Sequence, residues 1–135
     1  MVTVVRRGRR PLNRMEQFLD ARAYFPKTRW TGTGILVPLQ PTPFSVTYIV
    51  RVDYAGPHHL PKVSVITPPI VGAPHHMYDG TYLCLYWREW DSTMGFGTTI
   101  VPWAARWLEL YEVWQVTGQW HAPEAPVRVR KPGSP

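Results

Sequence analysis

The sequence predicts an α+β domain in which helices pack on one face, or at the ends, of a small antiparallel sheet. Three observations favour this class: a stripe of helical period near the start, three extended segments separated by short turns, and a tryptophan-rich stripe of helical period near the end. The 135 residues suffice for one domain with a continuous core. We expect this domain to span residues 12–120, between a basic N-terminal tail (1–11) and a Pro-rich basic C-terminal tail (121–135).

The first helix is predicted over residues 12–25, LNRMEQFLDARAYF. Proline favours the first turn of a helix and cannot continue one, so Pro11 and Pro26 are expected to set its two ends. The apolar residues at helical spacing, which form the expected stripe of an amphipathic helix, are Leu12, Met15, Leu19 and Ala23, and Phe18 and Arg22 lie beside this stripe.

The extended segments are predicted at residues 28–39, 44–54 and 61–68. Short connectors rich in turn residues (QPTP and AGPHHLP) separate them, which favours an antiparallel meander. The second segment alternates most clearly, and the residues expected on its buried face are Phe44, Val46, Tyr48, Val50 and Val52.

The C-terminal helix is predicted from VPWAARWLELYEVWQVTG. Pro102 suits its first turn, and Gly118 is a natural left-handed stop. Its exposed face is expected to carry Glu109 and Glu112. The stripe expected against the core is Trp103, Trp107, Leu110, Tyr111 and Trp114. A long loop that carries the cysteine is predicted at residues 70–100, before this helix, and loops of that length in a small domain are usually functional.

The net charge of +6 lies mainly in the two tails. Between residues 15 and 120, seven Lys or Arg stand against eight Asp or Glu, so the domain body is near neutral. Solvated ends explain this distribution, and contact with an acidic partner or nucleic acid through the tails is the alternative. The aromatic region is neutral to acidic, which argues against base stacking on it.

Several classes are excluded by composition. A single cysteine excludes an internal disulfide and favours a reducing compartment, and no set of zinc ligands has useful spacing. We therefore expect no metal and no cofactor. The apolar runs are too short to span a membrane, and the N-terminus does not resemble a signal peptide, so the expected location is the cytoplasm.

The cysteine, Cys84, lies in the stretch HHMYDGTYLCLYWREW. A lone cysteine is most often a buried, inert apolar residue, but this one follows an Asp79–Gly80 turn outside the meander. A nucleophilic thiol needs access and nearby donors or positive charge. The residues close enough in sequence to supply them are His75, His76, Tyr78 and Arg88.

Three of the tryptophans outside the helical stripe are candidates for the wall of a groove or for a partner surface. These are Trp87, Trp90 and Trp120. Asp79 and Arg88 are polar residues of the same segment and are candidates for the groove as well. The alternative for each of these side chains is an ordinary place in the core or in a polar turn.

The order of elements and the motifs around Cys84 resemble the ubiquitin-conjugating enzyme (UBC) fold. More closely, the motifs HHMYDG, LCLY, PWAARWLELYEVW and TGQW are similar to those of prokaryotic conjugating-enzyme-like proteins encoded beside cGAS-like nucleotidyltransferases in CBASS anti-phage operons. The resemblance covers about residues 30–120, and its specific part begins at His75.

This resemblance implies that Cys84 forms a thioester, with His75 or His76 in the place of the family's His-Pro-Asn turn. That turn has no Asn here, so Tyr78, His76 or backbone N–H groups are expected to stabilise the oxyanion. The implied donor is the C-terminal carboxylate of a cGAS-like nucleotidyltransferase, and the implied acceptor is a lysine amine. An adenylating enzyme or a ubiquitin-like protein is a further implied partner. The alternative function is a non-catalytic binding module with the same fold.

Overall fold

The chain runs from a helix through an antiparallel sheet to a second helix, which confirms the α+β prediction. The structure is a computed structural model and describes residues 10–72, 76–78, 81–85 and 90–121. Its helices and strands are α1 (Arg14–Tyr24), β1 (Arg29–Trp30), β2 (Gly34–Leu39), β3 (Tyr48–Asp53), β4 (Lys62–Thr67), β5 (Met77–Tyr78), β6 (Tyr82–Leu83), a 3₁₀ turn (Phe96–Thr98) and α2 (Ile100–Thr117).

The main sheet has four strands in the order β1-β2-β3-β4, and all neighbouring pairs are antiparallel. The meander prediction is confirmed, but the first extended segment splits into two strands. Gly32 adopts a positive φ of 89° between them, and the Oγ1 of Thr31 accepts a hydrogen bond from the N–H of Gly34 at 2.9 Å. These two features turn the chain back on itself, so β1 pairs with β2.

The strand β3 begins later than the alternation predicts. Phe44 is 97% exposed and Val46 is 57% exposed, so the predicted buried face is wrong at its first two positions. The N–H of Ser45 donates to the carbonyl of Thr42 at 3.0 Å, and their hydroxyl groups are 2.8 Å apart. This closed turn interrupts the extended chain, and burial starts at Tyr48, where pairing with β2 begins.

The helix α1 buries a different face from the one predicted. Met15 and Leu19 are 50% and 55% exposed, whereas Gln17, Phe18 and Ala21 are buried. Asn13 caps the helix by accepting from the N–H of Glu16, so the helix starts two residues after Leu12. The face that turns inward is the one that packs on the 3₁₀ turn.

The helix α2 has the predicted ends, with Pro102 in the first turn and Gly118 left-handed at φ 76°. Trp107 and Tyr111 are buried as predicted. Glu112 differs from the prediction of a solvent-facing acid, because it accepts hydrogen bonds from Ser45 Oγ at 2.6 Å and from Tyr48 Oη at 2.7 Å. This carboxylate therefore attaches α2 to the start of β3.

The core lies between the sheet, α1 and α2. Its fully buried side chains include Ile35, Val50 and Val52 from the sheet, Phe96 from the 3₁₀ turn and Leu108 from α2. Among the described residues, neither helix combines the length and the apolar character needed to cross a membrane. Residues 1–9 and 122–135 of the predicted tails lie outside the described residues.

Candidate functional site

Cys84 follows directly after β6 and is exposed, while the leucines on either side of it are buried. Leu83 and Leu85 point into the core, so the extended chain presents the intervening side chain to the outside. The interpretation of Cys84 as a buried apolar residue does not fit this position. Its thiol meets the first requirement for a nucleophile, which is access to a reacting partner.

The hairpin formed by β5 and β6 determines the position of Cys84. Met77 pairs with Leu83 and Tyr78 pairs with Tyr82. The N–H of Cys84 then donates to the carbonyl of His76 at 3.1 Å, which extends the same register by one pair. Cys84 and His76 are therefore opposite one another at the open end of this hairpin.

His76 is held from two directions. Its carbonyl oxygen accepts a second hydrogen bond, from Nε1 of Trp107 in α2 at 3.1 Å. Its imidazole ring stacks on the indole of Trp120, with centroids 4.0 Å apart and ring planes inclined by 15°. Trp107 and Trp120 also contact each other, with centroids 5.1 Å apart. The sequence predicted Trp107 as a core residue only, and its directed hydrogen bond was missed.

The structure describes only some of the remaining predicted site residues. His75, Asp79, Trp87 and Arg88 lie outside the described residues. Tyr78 is described for its backbone, which pairs with Tyr82 in the hairpin.

Trp90 does not line an exposed groove. It is only 6% exposed, packs beside Phe96 in the core, and donates from Nε1 to Thr99 Oγ1 at 3.0 Å. The prediction of a partner surface is corrected here, because the indole lies under the start of α2.

The part of the chain that the structure describes contains no group of three or more His, Cys, Asp or Glu residues that could hold a metal ion. An open depression of about 370 Å³ lies on another face of α2, where Thr42, Glu112 and Val116 contribute to its lining. No residue of the Cys84 hairpin lines it.

A family model described as Type II CBASS E2 protein matches residues 13–127, which is most of the chain. The chain belongs to this family. As a Type II CBASS E2 protein it has an E2-like role in a CBASS system, and the resemblance drawn from its motifs is confirmed at the level of the family. No curated protein shows significant similarity to the chain.

Proposed function

We propose that Cys84 accepts the C-terminal acyl group of a partner protein as a thioester and transfers it to a lysine amine. The observation that carries this proposal is the exposed thiol at the end of a hairpin whose neighbouring leucines are buried, in a chain of the Type II CBASS E2 family. The partner we propose as donor is the cGAS-like nucleotidyltransferase of the same system.

The chemistry needs an activated donor, because a carboxylate and a thiol do not condense unaided. We propose an acyl adenylate made by an adenylating partner. The sulfur of Cys84 attacks its carbonyl carbon, the C–S bond forms, the C–O bond to AMP breaks, and the thiol proton passes to a base. A lysine amine then attacks the thioester, the C–N bond forms, and the thiolate leaves. The products are an isopeptide bond, AMP and the regenerated thiol.

Both steps pass through an oxyanion that needs hydrogen-bond donors. The N–H of Cys84 already donates to the carbonyl of His76, so it is engaged in the resting hairpin. The proposed donors are therefore the side chains of His76 and Tyr78, with His75 as a further candidate, or another backbone N–H. Asp79, Trp87 and Arg88 are proposed to contact the partner beside the thiol.

Three proteins with the full chain test this proposal: wild type, Cys84→Ala and Cys84→Ser. Each is incubated with its operon partners and ATP, and products are separated without reducing agent and identified by intact mass. Wild type should form an adduct with the partner that thiols cleave. Cys84→Ala should form none, and Cys84→Ser should accumulate an oxygen ester that resists thiols and is cleaved by hydroxide.

The same adduct on Cys84→Ala would overturn the proposed mechanism. A wild-type protein that binds its partners but forms no adduct under any of these conditions would support the non-catalytic binding module instead. Alkylation by iodoacetamide separates these cases further, because a thiol available for acyl transfer has to react readily in the folded protein.

A further inference from the structure

The carbonyl oxygen of His76 accepts two hydrogen bonds that come from different parts of the fold. One comes from the backbone N–H of Cys84, and the other comes from the indole of Trp107 in α2. A carbonyl oxygen has two lone pairs, so both bonds fit on one atom. This atom is the link between the C-terminal helix and the residue that carries the thiol.

We propose that Trp107 and Trp120 are positioning residues for Cys84: Trp107 holds the His76 carbonyl, Trp120 covers the His76 imidazole, and together they fix the hairpin end that presents the thiol. This inference rests on the proposed function for its effect on acyl transfer. Its structural part, the fixing of the hairpin end, can be measured without any reaction.

Trp107 is fixed by its surroundings. Its indole is buried, and its ring stacks against Tyr111 one turn further along α2, with centroids 5.5 Å apart and planes inclined by 16°. The single N–H of a buried indole needs an acceptor, and here the acceptor is the His76 carbonyl at 3.1 Å. An apolar side chain of similar size could fill the space but could not orient this carbonyl.

Trp120 reaches His76 because the chain reverses after α2. Gly118 is left-handed, and its N–H donates to the carbonyl of Trp114 at 2.7 Å. The N–H of Gln119 donates to Thr117 Oγ1 at 3.1 Å, which supports the same reversal. Trp120 thereby returns beside Trp107 and stacks on the imidazole. The segment that follows α2 is thus part of the site around Cys84.

Amide hydrogen exchange of Cys84, followed by NMR in the full chain, tests the role of Trp107. Trp107→Phe keeps an aromatic ring but removes the N–H. We expect exchange at the Cys84 amide to become about tenfold faster, because a carbonyl that Trp107 no longer holds can move away from the Cys84 N–H. Amides of the sheet, such as those of Val50 and Val52, should keep their protection.

The matched control is Tyr54→Phe. Tyr54 is also a buried aromatic residue, and its hydroxyl donates to the carbonyl of Leu12 at 2.8 Å, away from the hairpin. This variant should have a lower free energy of unfolding. The ratio of the exchange rate of the Cys84 amide to the exchange rates of the sheet amides should stay the same. If Trp107→Phe changes the exchange rates of the Cys84 amide and of the sheet amides by the same factor, the variant destabilises the whole fold. The positioning role of Trp107 is then wrong.

Two variants, Trp120→Ala and Trp120→Phe, test the role of Trp120. They test the proposal even if Trp107→Phe folds poorly. With the operon partners and ATP, Trp120→Ala should lower kcat for adduct formation about tenfold and leave KM within about twofold. Trp120→Phe, which retains a ring for stacking, should recover most of the loss. A raised KM with unchanged kcat would instead make Trp120 a partner contact and would overturn its positioning role.

The two proposals fail in different ways. If the Cys84 amide responds to Trp107→Phe but wild type forms no adduct, the acyl-transfer chemistry is wrong while the hairpin is still held as described. If wild type forms the thioester and neither tryptophan variant differs from Tyr54→Phe in exchange or in kcat, the positioning inference is wrong and the proposed function stands.

Discussion

Gln17 in α1 and Phe96 in the 3₁₀ turn are joined by a fully buried hydrogen bond, in which Gln17 Oε1 accepts from the Phe96 N–H at 2.8 Å. The other end of the same amide, Nε2, donates to the carbonyl of Met94 at 3.0 Å. One side chain therefore pairs with two backbone groups of the segment that leads into α2. This connection is part of what fixes the start of the helix that carries Trp107.

We predict that Gln17→Leu destabilises the protein although it places a more apolar residue in the core. The change leaves the buried Phe96 N–H and the part-buried Met94 carbonyl without their partner, and each buried group of this kind costs about 1–3 kcal/mol. The free energy of unfolding, measured with urea, should fall by about 2–4 kcal/mol. Leu19→Ala on the exposed face of α1 is the control and should stay within about 0.5 kcal/mol of wild type. A Gln17→Leu protein as stable as wild type would contradict this interpretation.

The face of α1 could not be predicted from its apolar spacing, and Gln17 shows why. The pattern of Met15 and Leu19 is regular, but the surface available to the helix is the backbone near Phe96, which presents polar groups. A buried amide satisfies those groups better than a leucine would. The apolar periodicity therefore predicted the wrong buried face, because hydrogen bonds to a distant part of the chain determine which face of α1 is buried.

The ends of α2 and the buried residues of β3 were predictable because their causes are local. Pro102 and Gly118 act through the backbone of the helix itself, and the alternation from Tyr48 to Val52 follows from the pleat. In the second half of the chain the motif around Cys84 was recognised from sequence, whereas its pairing with His76 was not. Strands of two residues carry too little periodicity to reveal their register.

Gly95 provides a second prediction, because a Cβ at this position would collide with the carboxylate of Asp20. The same carboxylate accepts a hydrogen bond from the N–H of Gly97 at 2.8 Å, so it cannot move away freely. Gly95→Ala should therefore cost about 1–3 kcal/mol of stability through overpacking. Denaturant unfolding of the single variant measures this cost.

A double-mutant cycle shows whether Asp20 is the cause. In an Asp20→Ala background the collision is removed, so Gly95→Ala should cost at least about 1 kcal/mol less than it does in wild type. Gly118→Ala is the control, since a Cβ at this position would meet no other part of the fold within 4 Å and its cost comes from the positive φ alone. Its cost should be the same in both backgrounds. Equal costs for Gly95→Ala in both backgrounds would exclude the collision with Asp20.

The third prediction concerns acid stability and Glu16. The guanidinium of Arg10 and the backbone N–H of Asn13 both donate to the Glu16 carboxylate, and they lower its pKa from the ordinary 4.5 to about 2. A carboxyl whose pKa is lower in the folded than in the unfolded state contributes stability above pH 4.5. That contribution decreases as the pH falls and is lost below about 2, where both states are protonated.

Glu16→Gln removes this titration while keeping an acceptor for the Asn13 N–H. Urea midpoints of wild type and Glu16→Gln, measured at several values between pH 6 and pH 2, should differ most at pH 6 and converge towards pH 2. Arg10→Ala removes the main cause of the lowered pKa, so its pH dependence should fall between those of the other two proteins. A constant difference between wild type and Glu16→Gln across this range would show that Glu16 acts through packing or capping alone and that its ionisation is not linked to folding.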